Sequence, residues 1–238
     1  MKVYLNEITG MADGLVTMYL SKRTWTPELD AQTRADWETF FYRFDPLDYD
    51  GAAERTRKRI NSFLKYAWAH TTMLDFVTVS ATVQGMHRAG QDDWDAHACR
   101  FNNRIIRSST RLADFHEGEM SDYYKGKIIP TDMALSILGL QVPETIEQDG
   151  QTFVRAVNGY IREDCCENRD VKRGLYMQSI PSNFIFKVNL AQWAHVYRLR
   201  NKNGTANPEV KQLAEMLQDK IESVMPWFNR EFFAKVMI

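Results

Sequence analysis

Residues 171–200 read VKRGLYMQSIPSNFIFKVNLAQWAHVYRLR and continue over 201–225 as NKNGTANPEVKQLAEMLQDKIESVM. This stretch decides the reading of the chain. Over 188–200, Leu190, Trp193, Ala194 and Tyr197 recur at i, i+3, i+4 and i+7, which predicts a helix with one apolar face. His195 and Arg198 share another face. Arg200 closes the helix, where the dipole favours a cation. A short loop with a glycine follows. Asn207 then has the chemistry of an N-cap and Pro208 that of a first helical residue. Val210, Leu213, Ala214, Leu217, Ile221 and Val224 predict a second amphipathic helix. Two packed helices would hold the basic groups at the turn between them, although a solvated helix face is the ordinary fate of such arginines.

The 238 residues suit one large domain or two small ones, with room for a sizeable core, and 44% apolar and 12% aromatic residues are values of a globular chain. A formal net charge of -1 gives no global attraction for nucleic acid or an acidic membrane. No apolar run reaches the length of a membrane span, and MKVYLNEITG lacks the apolar core of a signal peptide. Cys99, Cys165 and Cys166 are odd in number and show no CxxC, which argues against a disulfide framework or a zinc site. The expectation is a soluble cytoplasmic protein without metal.

Working back from the N-terminus, residues 2–9 read as a first strand and 10–20 as a short helix. Thr26 and Pro27 open an aromatic-rich helix that ends near Pro46. Residues 51–69 read as a helix with Ala53, Ile60, Phe63, Leu64 and Ala67 inward and a solvated basic face of Arg55, Arg57, Lys58 and Arg59. Residues 76–83 are the clearest strand, with Val77, Val79 and Ala81 alternating with Thr78, Ser80 and Thr82. Residues 91–103 read as helix. In the basic segment that follows, Ile105 and Ile106 read as a buried anchor among Arg104, Arg107 and Arg111. Residues 117–126 form a polar loop, 130–138 a short helix and 148–150 a turn. Residues 152–162 read as a long helix, followed by helix again over 168–176. Long helices with two or three strands give an α+β class, and no composition shift breaks 1–238 into more than one domain.

Phosphate-loop, dinucleotide-binding, HExxH and GxSxG motifs are absent. The cysteines have no histidine at a telling spacing, so a thiol nucleophile is not indicated. What remains is arginine, whose planar fork suits a doubly charged phosphate. Such residues bind and orient, so harder chemistry would come from a cofactor.

At RDVKR (169–173), Asn189-Leu190, Leu199-Arg200, Ala206-Asn207-Pro208-Glu209 and Pro226-Trp227, the chain resembles the flavin-dependent thymidylate synthase family. The resemblance runs over 70–227. The family's signature is RHRxxSxNExSxRY. Anchored on its SxR, the matching stretch is CRFNNRIIRSSTRL, which keeps Ser109 and Arg111. RHR becomes Cys99-Arg100-Phe101, Asn-Glu becomes Ile106-Arg107, and the flavin-contacting Asn of the penultimate helix becomes His195. HTTMLDF (70–76) is similar to the family's HxSxxEH segment.

The resemblance implies a central antiparallel sheet flanked by long helices. It also implies a homotetramer with sites at subunit interfaces, using FAD, methylene-tetrahydrofolate and NADPH to methylate C5 of dUMP. Carried over, Arg200 would be catalytic, lying against the pyrimidine edge. Arg173, Ser109, Arg111 and Arg107 would bind the nucleotide, and His70, Thr72, Arg100, His195 and Asn189 the flavin. The departures leave room for dCMP as substrate, or for hydroxymethyl transfer, as in a bacteriophage that modifies its DNA and works in the host cytoplasm. They also leave room for a fold relative that binds nucleotide without catalysis.

Overall fold

The computed structural model describes residues 1–43, 54–98, 104–108, 122, 131–156, 159–167 and 180–236. In chain order the elements are β1 (Lys2–Thr9), α1 (Met11–Ser21), α2 (Pro27–Arg43), α3 (Glu54–Ala67) and a 3-10 turn (Thr71–Phe76). Next come β2 (Thr78–His87), α4 (Arg88–Ala98), β3 (Arg104–Arg107), α5 (Thr131–Ile137), β4 (Thr145–Gln148), β5 (Gln151–Ala156), β6 (Gly159–Arg162) and a second 3-10 turn (Glu163–Cys165). The chain then continues through β7 (Pro181–Asn189), α6 (Leu190–Arg200), α7 (Pro208–Val224) and α8 (Arg230–Lys235). One sheet has the strand order β1-β2-β7-β3, and a second, antiparallel sheet the order β4-β5-β6. The α+β class and the antiparallel sheet with long helices hold as expected. The chain divides into two compact units.

The unit made of 3–82, 93–105 and 185–238 is dominated by helices. Asn189 caps α6, its Oδ1 accepting from the Gln192 N–H at 2.8 Å. The Leu190 N–H, which a helix start leaves without an intrahelical partner, donates to the Val77 carbonyl at 2.8 Å. Leu190, Trp193, Ala194 and Tyr197 are all buried, as their spacing predicts. Asn207 caps α7 through the Glu209 N–H at 2.9 Å, with Pro208 in the first turn. The α7 stripe is buried from Val210 through Ile221, but Val224 is exposed because the helix ends there. Gln218, fully buried, ties the C-terminal helices together. Its carbonyl accepts from Trp193 Nε1 at 2.9 Å, and its amide donates to the Phe228 carbonyl at 2.7 Å and to Glu222 at 2.9 Å.

In the same unit α1 packs on α2, α3 and the 3-10 turn. Gly10 precedes α1 with φ 78, and a Cβ there would stand 1.8 Å from the Phe76 carbonyl oxygen, so the position needs glycine twice over. The basic face expected on α3 needs correcting at Arg59. It is buried, pairs with Asp36, and donates to the Tyr19 hydroxyl at 3.1 Å. Asp36 also accepts from Arg55 Nε at 2.6 Å and Gln32 at 2.8 Å. A buried guanidinium is tolerable when paired and hydrogen-bonded in this way. Leu64 is only half-buried, and Ala53 lies outside the described residues.

The unit made of 1–2, 83–92 and 106–184 carries the largest departure from the sequence reading. The long helix expected over 152–162 is instead β5 and β6, and β4 completes a meander. Gln148 pairs with Gln151, leaving a two-residue loop of Asp149 and Gly150 with φ 52 and 71. Two successive left-handed residues are what a tight hairpin with right-twisted strands requires, and Asp-Gly supplies them. Thr152, Val154 and Ile161 are β-branched, while Phe153 and Tyr160 are aromatic; all pack well on a pleated surface. In β7, Ser182, Phe184, Phe186 and Val188 are buried while Asn183, Ile185 and Lys187 are exposed. That period of two was passed over, because the apolar run continues without a break into α6, and the helix begins at Leu190 rather than Val188. Gln91 is buried, its Nε2 donating to the Met86 carbonyl at 2.8 Å and the Ser182 hydroxyl at 2.7 Å. Ile106 is 70% exposed and Ile105 half-buried, so the pair is not a buried anchor. The helix expected over 168–176 lies outside the described residues.

Candidate functional site

Arg200 sits in the last turn of α6, with only 13% of its side chain exposed. Its Nη2 reaches Asp93 Oδ1 of α4 at 3.4 Å, a long contact for a charged pair. Its Nε is buried and has no hydrogen-bond partner among the described residues. A guanidinium carries five N–H donors and no acceptor. Arg200 is thus a desolvated cation with donor capacity to spare, which suits it to meet an electron-rich edge. Arg198, two residues earlier in the same turn, is exposed and donates from Nη1 to the Val236 carbonyl at 3.2 Å.

Four of the expected flavin contacts lie on or beside α6 and the 3-10 turn, which pack against each other. His195 is half-buried on α6. His70 is exposed just before the 3-10 turn, its ring stacked on Tyr66 with centroids 6.5 Å apart, and Thr72 is exposed within the turn. An exposed imidazole and hydroxyl can still take a polar partner, so the chemistry of these donors fits a flavin. Asn189 differs, because its carbonyl oxygen is already engaged in capping α6.

In the other unit, Arg107 ends β3 with 21% of its side chain exposed. Its Nη1 pairs with Asp92 at 2.5 Å and its Nη2 donates to the Gln91 carbonyl at 3.1 Å. The charge that Arg107 adds is therefore met locally by a carboxylate. Arg100, Ser109, Arg111 and Arg173 lie outside the described residues.

Sequence reasoning missed the acids. Asp92 and Asp93 are consecutive on α4, and each holds one of the expected site arginines. The signal is the acidic run in GQDDWDAH, three carboxylates within four residues just before the basic segment. His87, also missed, is buried at the end of β2. Burial pushes its imidazole below the usual range, and the nearby Asp92 charge offsets this only in part. Among the described residues no group of three or more His, Cys, Asp or Glu is placed to hold a metal ion. No helix among them is long and apolar enough to cross a membrane.

The fold is that of the flavin-dependent thymidylate synthases. A solved structure of the enzyme ThyX from Helicobacter pylori, complexed with FAD and dUMP, matches with a TM-score of 0.55 and 14% identity over the whole of both chains. A second Helicobacter pylori ThyX structure with FAD and dUMP gives 0.54 and 13%, over 98% of this chain and 99% of that one. No curated protein sequence matches the chain. Residues 20–227 match the model of the thymidylate synthase complementing protein family, and the chain belongs to that family.

Proposed function

We propose that this chain is a flavin-dependent thymidylate synthase that methylates C5 of dUMP, with FAD as cofactor and methylene-tetrahydrofolate and NADPH as co-substrates. Family membership and a fold shared with enzymes solved with FAD and dUMP support the reading. The observation that carries it is Arg200, a mostly buried guanidinium that among the described residues has one long polar contact and no partner for its Nε. Set against the O2/N3 edge of the pyrimidine, it favours the negative charge that builds on the ring as C5 becomes nucleophilic, and it is worth most where water is excluded. Arg173, Ser109 and Arg111 grip the phosphate, and Arg107 adds a cation whose charge Asp92 tempers. His70, Thr72, His195 and Arg100 hold the flavin, which when bound carries reducing equivalents that none of these side chains can supply. Asn189 contributes by fixing the start of α6 and so the direction of the helix that bears Arg200. The working form is a single domain over 1–238 assembled as a cytoplasmic homotetramer, without nucleic acid or membrane as a partner.

The test is the absorbance spectrum of the purified protein with FAD, followed by titration with dUMP and dCMP. The expected result is a bound flavin whose bands shift with dUMP. A protein that binds no flavin with either nucleotide present is not a flavin-dependent enzyme.

A further inference from the structure

We propose that Asp93 is the residue that selects uracil over cytosine, accepting a hydrogen bond from uracil N3–H while Arg200 donates to O2. This rests on the placement of Arg200 at the pyrimidine edge argued above. Arg200 offers only donors, and an ionised Asp93 offers only acceptors. The structure sets them side by side, Nη2 to Oδ1 at 3.4 Å, with the Arg200 side chain 13% and the Asp93 side chain 33% exposed. That contact is longer than an ordinary charged pair, and a carboxylate has about four lone-pair sites, so a third polar group can bond beside it. A donor next to an acceptor complements one particular edge. Uracil presents O2, an acceptor, next to N3–H, a donor. Cytosine presents O2 next to a bare N3, also an acceptor. Against cytosine the Asp93 carboxylate would face the N3 lone pair, a repulsive contact in place of a hydrogen bond.

The carboxylate is also held in place. Trp94, the next residue on α4, is buried, its ring centroid 5.2 Å from that of Phe186 and 6.1 Å from that of Trp193 on α6. A buried indole pair therefore joins the helix that carries Asp93 to the helix that carries Arg200. Discrimination of this kind depends on donors and acceptors fixed within a fraction of an ångström.

The test measures dissociation constants of dUMP and dCMP on the FAD-loaded protein, by flavin absorbance and by calorimetry. The wild type is expected to prefer dUMP by at least about 10-fold, the worth of one hydrogen bond to a charged group. Asp93→Asn, whose amide can turn to meet either base, is expected to lower that preference about 10-fold. Asp93→Ser, read in its place should the amide variant not fold, removes the carboxylate and is expected to lower the preference as well. A wild type that prefers dCMP, or a folded variant with an unchanged preference, overturns the assignment to Asp93. If dUMP binds and Arg200→Ala weakens it while the Asp93 variants keep the preference, the inference alone fails. If neither nucleotide binds the wild type, the functional reading fails with it.

Discussion

Arg200 owes its character to how little the protein does with it. Arg59, a cation at least as enclosed, is tied to Asp36 and donates to the Tyr19 hydroxyl at 3.1 Å, and even the more exposed Arg230 is held by Glu215, Asp219 and Glu222 at 3.1, 2.6 and 3.0 Å. Among the described residues Arg200 has one long bond, to Asp93. Truncating it removes little that holds the fold, so Arg200→Ala is expected to keep its melting temperature within a few degrees. Turnover is expected to fall by about 10²- to 10³-fold, as when a group poised for developing charge is lost. Steady-state kinetics beside a thermal melt decides it, and full activity in the variant would remove Arg200 from the chemistry. Arg200 was legible in the sequence as the end of a patterned helix. Its carboxylate partner was not, because Asp93 lies 107 residues earlier and only the folded chain brings the two together.

Among the elements, those with one strong periodicity and a clear start could be read, and those with competing signals could not. α6 and α7 announced themselves through apolar stripes and the Asn189 and Asn207 positions. The β4–β5 hairpin was hidden although its Asp149-Gly150 turn was seen, because TFVRAV satisfies a helical spacing about as well as an alternating one. The turn should have settled the matter, since left-handed Asp-Gly joins strands more naturally than it starts a helix. Arg59 was misplaced for a different reason: burial of a cation depends on Asp36 and Tyr19, which no local pattern reveals. At the start of α1 the constraint is backbone geometry. Gly10→Ala must drive a Cβ into the Phe76 carbonyl and also adopt a left-handed φ. It is expected to destabilise by roughly 1–3 kcal/mol or more, read by urea denaturation. A variant as stable as the wild type would show that this junction can shift freely.

For the molecule as a whole, acid should act in two windows. His87 is buried and its imidazole resists protonation. Above its ordinary value of 6.5 folded and unfolded chains both hold it neutral, and the native state is at full strength. As pH falls below that value the unfolded chain takes up a proton that the native one refuses, and stability drops. At lower pH Asp36 takes over. Burial alone would raise its carboxyl, but hydrogen bonds from Arg55 and Gln32 and the Arg59 and Arg55 charges outweigh this and hold it below 3.8. Its contribution is present above that value and is lost as pH falls through the depressed one. His87→Gln is thus expected to flatten the melting temperature between about pH 7 and 5.5 while leaving the steeper acid limb in place. A wild-type curve already flat across that range would show that His87 is protonated in the native state. The indoles of Trp94 and Trp193, 6.1 Å apart and sealed from water, belong to α4 and α6, the helices that bear Asp93 and Arg200. They are close enough to share excitation, so the protein carries an optical probe beside the residues that matter. Ultraviolet emission alone can follow whatever docks there, with no label attached.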